Sequence, residues 1–280
     1  MPIGWILSLL KRREADKDHS GGAITATRLL GCPRQTLIED FVAPIAEDRN
    51  FGLVFDPRRM NSAHFGTIIH KEIEEHTPGG YKEIRFPRPG TPPFELDFGE
   101  GVTCAPSGAI DYLHPDTVIL EDYKTHSEAA HKFKWNRKAA DPEVRAQFGI
   151  YKALVERGVE DAHVKKAIVW HGAMVSARHP APPWFHIDVV PLSLQEIGDL
   201  RPFGSRHTVR EVITMYKWAL QQMSEITAER GTPSWYSAFD RIVSGLAMVG
   251  ETMFGGQKCT SYCGPAQPYC FRLAGKAEVL

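Results

Sequence analysis

Cysteine is scarce, with five residues in a chain of 280. So few, so unevenly placed, exclude a small disulfide scaffold. Long hydrophobic runs are missing too. The most apolar stretch near the start, residues 3–10, is far shorter than a bilayer crossing requires. It precedes Lys11, Arg12 and Arg13, the reverse of the order in a secretory signal, and no small-residue cleavage site follows. Neither sign of charge is in excess: 33 Lys and Arg face 34 Asp and Glu, for a net charge of -1. A uniformly basic nucleic-acid coat is thereby excluded, whereas a local basic groove is not. A phosphate loop of the form G-x-x-x-x-G-K-[ST] is also missing, which argues against a nucleotide-driven motor. There is no internal repeat and no low-complexity linker. What is present is a globular composition, 42% apolar and 24% charged, on a chain long enough to bury a sizeable core. The expected setting is a reducing cytoplasm, with no membrane partner.

Residues 1–22 read as a poorly ordered arm and residues 23–280 as one domain. That domain divides into a helical N-terminal part (23–80), a core (81–200) and a C-terminal helix with a cysteine-bearing tail (201–280). Leu29, Leu30, Leu37 and Ile38 recur at helical spacing within residues 23–42. Asn61 and Ser62 can cap a helix over 63–76, and residues 81–86 read as a strand. Four prolines in residues 87–93 demand a loop. Residues 94–111 hold one or two strands, and 117–123 is a buried strand that turns abruptly charged at its end. A helix starts at Pro142, strands cover 164–171 and 184–191, and a long amphipathic helix spans 207–226. Residues 231–256 fit no single element. Helices before and after a strand cluster indicate an α/β domain.

The richest segment is GAIDYLHPDTVILEDYKTH, residues 108–126. Asp111 ends one apolar run; Asp122 and Lys124 end the next. Alternation along a strand puts Asp122 and Lys124 on the same face. If the two strands are neighbours, Asp111 meets Asp122 at one edge. Paired carboxylates suit a hard divalent cation, Mg²⁺ or Mn²⁺, and a lysine beside them supplies charge for a phosphate or an attacking water. The string HKEIEEH, residues 70–76, is not H-E-x-x-H, so a zinc protease is not supported.

These residues resemble the PD-(D/E)xK nuclease superfamily, in its RecB-like branch. Gly108, Ile110 and Asp111 match its G-x-I-D strand, and Asp122, Tyr123, Lys124 and Thr125 match its D-Y-K-T strand. The resemblance implies a restriction-endonuclease-like fold: a mixed central sheet flanked by helices. It implies metal-dependent hydrolysis of DNA, by an exonuclease more than by a sequence-specific endonuclease. Asp111 and Asp122 would hold Mg²⁺ or Mn²⁺, with the Tyr123 backbone carbonyl as a further ligand. His70, four residues after Gly66 on one helix face, matches the family's G-x-x-x-H and inherits a ligand role. Gln147 and Tyr151, one helical turn apart, match its Q-x-x-x-Y, which lines the site. Lys132, Lys134, Trp135, Arg137 and Lys138 interleave charge with aromatic surface close behind the catalytic strand, a composition that can hold phosphates and stack on unpaired bases.

Cys259, Cys263 and Cys270 cluster near the C-terminus, while Cys32 stands alone near the N-terminus. Three clustered thiolates want a fourth. A subset of RecB-like nucleases, AddB-like and CRISPR-associated adaptation nucleases among them, has this distribution, and Cys32-Pro33-Arg34 resembles its first ligand. There the four thiolates hold a [4Fe–4S] cluster. The resemblance therefore implies an iron–sulfur-stapled helical extension built from both termini. The first gap is three residues here where two is common, and a four-cysteine zinc site is the alternative. Cys104 reads as an ordinary buried thiol. DNA is the expected substrate, and recombination, repair or CRISPR adaptation proteins are the expected partners, in a bacterial, archaeal or virus-infected cell. The competing reading is an iron–sulfur DNA-binding adaptor whose nuclease centre is idle.

Overall fold

The computed structural model describes residues 24–42, 45, 68–73, 75–76, 81–88, 91–114, 117–173, 181–202, 205 and 207–246. The expected arm, Gly66, Glu74 and the three C-terminal cysteines lie outside the described residues. In chain order the elements are α1 (Ala26–Leu29), α2 (Pro33–Phe41), β1 (Tyr81–Phe86), β2 (Leu96–Asp97), β3 (Thr103–Cys104), β4 (Gly108–His114), β5 (Ile119–His126) and α3 (Glu128–Arg137). They continue as α4 (Pro142–Gly158), β6 (Lys166–Ala173), β7 (Trp184–Val189), α5 (Leu194–Asp199), α6 (Val209–Ile226) and α7 (Pro233–Gly245). Residues 68–73 are also helical and carry His70.

Five strands form one sheet in the order β1-β4-β5-β6-β7. The pairs β1–β4, β4–β5 and β6–β7 are antiparallel, and β5–β6 is parallel. The chain makes that parallel return through α3 and α4, as a parallel pair requires. This is the α/β architecture with a mixed sheet flanked by helices that the sequence leads one to expect. Leu113, Leu120, Ala167, Val169, Ile187 and Val189 are among the buried strand positions, and Phe148, Ile150, Leu154 and Val155 of α4 belong to the same core.

Local chemistry sets the boundaries. The expected helix over 23–42 is broken into α1 and α2, because Gly31 and Cys32 interrupt it and Pro33 starts a new one at its first position. The strand expected from residue 117 begins at Ile119, since Val118 has a positive φ of 50° and its N–H closes a turn onto the carbonyl of His114. At its other end β5 runs three residues past Tyr123. Pro142 opens α4 as expected, with Asp141 at the N-cap. Thr208 and Glu211 form a capping box on α6, whose buried face is Val209, Val212, Ile213, Tyr216, Ala219 and Met223. Full burial of each larger side chain stabilises the fold by about 1.5–3 kcal/mol. Within residues 231–256, which fit no single element from the sequence, Pro233–Gly245 form α7, where Trp235 and Phe239 stack at 5.1 Å between ring centroids. No helix of the described residues is long and apolar enough to cross a membrane.

Candidate active site

Asp111 sits in β4 and Asp122 and Lys124 in the adjacent β5. Their strands pair from Tyr112↔Glu121 to His114↔Ile119, so Asp111 and Asp122 come opposite each other just beyond the paired stretch. Tyr123 joins the two strands there, its backbone N–H donating to Asp111 Oδ2 at 2.9 Å. On its other side the Tyr123 carbonyl lies 2.8 Å from His70 Nε2. His70 Nδ1 in turn lies 3.6 Å from Asp111 Oδ1. The two groups expected to share a metal with the carboxylates thus meet each other through a hydrogen bond.

Lys124 Nζ donates to Asp122 Oδ1 at 3.1 Å and lies 2.8 Å from Oδ2. Asp122 is 3% exposed, and its Oδ2, although close to the ammonium, is not aligned to accept a hydrogen bond. Burial, and next the charge of Asp122, push the Asp111 carboxyl up to about 6, while His70 and the Tyr123 N–H pull it back. Burial acts to lower the pKa of Lys124, but the charge of Asp122 and its hydrogen bond outweigh that and hold the ammonium above the ordinary lysine range.

α4 brings the other expected pair. Gln147 Nε2 donates to the Tyr151 hydroxyl at 2.8 Å, and both residues are buried. Burial, then the charge of Asp122, push the Tyr151 phenol up to about 12. Gly108 explains how the helix comes so close: a Cβ there would lie 2.7 Å from the Tyr151 ring. Glycine at the start of β4 therefore seats Tyr151 against the strand that carries Asp111. Backbone bonds from Ala26 N–H to the Ser107 carbonyl (2.7 Å) and from Ser107 N–H to the Ile24 carbonyl (2.9 Å) hold that strand start in place.

The basic segment is a helix, α3. Lys134 and Arg137 both pair with Asp141, and Trp135 packs edge-on against Phe185 at 5.1 Å with Lys138 above its other side. Lys132 is exposed and Phe133 is 59% exposed, so the outward aromatic is the phenylalanine and not the tryptophan. Cys32 is the N-cap residue of α2 and is half-buried.

Two groups of residues escaped the sequence reading. His126 Nε2, at the end of β5, and His171 Nδ1, on the parallel strand β6, lie 2.7 Å apart. Behind β5, Glu121 accepts from His114 Nε2 at 2.7 Å, from the Tyr123 hydroxyl at 2.9 Å and from Trp170 Nε1 at 2.8 Å.

Among the described residues, no group of three or more His, Cys, Asp and Glu side chains is arranged to hold a metal ion. Asp111 and Asp122 nonetheless offer the donors a hard cation takes: two facing carboxylates, one with a buried oxygen that accepts no hydrogen bond. No family model and no curated protein matches this chain. Among solved structures, the fold is similar to the crystal structure of SSO0001, at 14% identity and a TM-score of 0.46, over 89% of this chain and 97% of that one.

Proposed function

We propose that this chain is a metal-dependent DNA nuclease of the RecB-like PD-(D/E)xK type, acting as an exonuclease in DNA processing, recombination or repair. The observation that supports it most is the meeting of Asp111, Asp122 and Lys124 at one edge of β4 and β5, with Asp122 buried and ion-paired to Lys124. Asp111 and Asp122 would hold Mg²⁺ or Mn²⁺, with the Tyr123 carbonyl and His70 as further ligands. The bound ion supplies Lewis-acid polarisation of the scissile phosphate and acidifies the attacking water. Lys124 keeps its proton beside two carboxylates, which suits it to stabilise charge growing on phosphate oxygens more than to act as a base. Tyr151, steadied by Gln147, presents a neutral hydroxyl toward the same site and orients substrate.

Cys32, Cys259, Cys263 and Cys270 supply four thiolates, the ligand complement of a [4Fe–4S] cluster, with zinc as the alternative. The cluster would tie the start of α2 to the C-terminal tail. The deciding experiment is degradation of a labelled DNA duplex and single strand by anaerobically purified protein with Mn²⁺ or Mg²⁺. Cleavage that stops with a chelator and is lost in Lys124→Ala supports the reading. Undiminished cleavage by Lys124→Ala, or full activity in excess chelator, overturns it. Iron analysis of the same preparation should give about four iron atoms per chain; stoichiometric zinc without iron replaces the cluster with a zinc staple.

A further inference from the structure

The side of β5 that faces away from Asp122 and Lys124 carries Glu121 and Tyr123, by the alternation of a strand. Glu121 is nearly buried, its side chain 12% exposed, and is not part of the carboxylate–lysine group. Its two oxygens take three hydrogen bonds from three strands: Oε1 from His114 of β4, Oε2 from Tyr123 of β5 and from Trp170 of β6. The rings around it brace one another. Tyr112 meets His114 edge-on at 4.6 Å, and Trp170 lies 5.0 Å from His186. A carboxylate holding three charge-assisted bonds from neighbouring strands is a rigid anchor.

Tyr123 connects this anchor to the other face. Its hydroxyl is held by Glu121, its N–H by Asp111 and its carbonyl by His70. The peptide groups flanking Tyr123 also join it to Asp122 and Lys124. The position of Tyr123 therefore bears on both carboxylates, on Asp122 through the peptide bond and on Asp111 through the hydrogen bond.

We propose that Glu121 is a positioning residue that fixes Tyr123 from behind the sheet and, through its main chain, sets the spacing of Asp111 and Asp122. The proposal rests on the reading of those carboxylates as the cation site. It makes Glu121 the outer partner of that site, of the kind whose loss weakens metal affinity about 10–100-fold. Glu121→Gln keeps the size of the side chain, removes its charge and exchanges one acceptor oxygen for a donor. Tyr123→Phe removes one bond and leaves the charge in place.

Two measurements test it. The first is amide hydrogen exchange of the full chain without added metal. Glu121→Gln should speed exchange of the Tyr123 N–H about tenfold or more, with Tyr123→Phe intermediate and the amides of α6 unchanged. Unaltered Tyr123 exchange in Glu121→Gln overturns the proposal whatever the metal does. The second is Mn²⁺ titration followed by electron paramagnetic resonance of the free ion. A dissociation constant raised about 10–100-fold in Glu121→Gln, and less in Tyr123→Phe, supports the proposal. An unchanged constant in Glu121→Gln overturns the link between anchor and site. If the unsubstituted protein binds no Mn²⁺ while Tyr123 exchange still responds to Glu121→Gln, the cation reading fails and the anchoring of Tyr123 stands.

Discussion

At the scale of single residues, Lys124 and Asp122 depend on one another. Asp122 is 3% exposed, and Lys124 is its charged partner. Lys124→Ala should abolish cleavage and also destabilise the metal-free chain by about 1–3 kcal/mol, because a buried carboxylate then loses its partner. Urea denaturation without metal measures the second effect, and an unchanged midpoint would show that Asp122 finds another donor. Gly108 allows a sharper test. Gly108→Ala puts a Cβ 2.7 Å from the Tyr151 ring. Because that ring is held at both its packed face and its hydroxyl, the expected loss is about 1–3 kcal/mol, together with a drop in turnover. Thermal melting and single-turnover cleavage read the two. Normal turnover with lowered stability would take Tyr151 out of the chemistry. Asp111, Asp122 and Lys124 were readable from the sequence because a strand's period of two fixes which side chains share a face. Glu121 was not, since its role comes from donors on β4 and β6 that no local pattern predicts. The basic string was read for its charge and its aromatics without Asp141, which lies only a few residues on and pairs with two of its members.

At the scale of elements, the last residue of β5, His126, faces His171 of the parallel strand β6, with their nearest nitrogens 2.7 Å apart. Burial lowers the pKa of His126 to about 4, helped by Lys134, His131 and Lys124, while Asp141 opposes. Burial, then His126, lowers that of His171 to about 4, again with Lys134 and His131 adding and Asp141 opposing. Both folded values lie below the unfolded histidine value of about 6.5. The unfolded chain therefore takes up protons first as pH falls, and the stability owed to the neutral pair is complete above pH 6.5 and lost as pH falls through about 4. Asp111 works the other way: its folded value of about 6 exceeds the unfolded carboxylate value, so its burial is easier once it is protonated. The informative quantity is therefore a difference. Between pH 7.5 and 4.5 the unsubstituted chain should lose more stability than His171→Leu does, by urea denaturation at each pH. Equal slopes would show that the pair does not titrate with folding. α6 and α4 were placed from their apolar period and start signals, whereas α7 was not, although Thr232 at its N-cap, Pro233 at its first position and the helical spacing of Trp235, Tyr236, Phe239, Ile242 and Val243 carry the same signals.

At the scale of the whole molecule, α2 near the start of the described chain packs against α6 and the turn that follows it. Arg28 pairs with Asp40 within the N-terminal segment, and the Tyr216 hydroxyl of α6 approaches Asp40 Oδ2 at 3.4 Å. Arg230 donates to the carbonyls of Asp40 and Phe41, both at 3.3 Å. The mixed sheet was legible in the sequence, but this contact was not, because it joins residues 176 or more positions apart that no local pattern links. If the cysteines share one metal centre, it would reinforce the same contact, and Cys32→Ala should then lose iron as completely as Cys263→Ala while Cys104→Ala keeps it. Iron retained in Cys32→Ala would place the fourth ligand elsewhere. The contact also has a consequence for synthesis. Asp40 and Tyr216 are 176 residues apart, so at about 5–20 residues per second a ribosome takes roughly 10–35 s to make the partner after the acid has been made. Throughout that interval Leu37, Ile38 and Val42, all fully covered in the finished fold, have no α6 to cover them. The nascent N-terminal helices thus carry uncovered apolar surface during translation, and a premature stop before α6 would leave that surface open to aggregation.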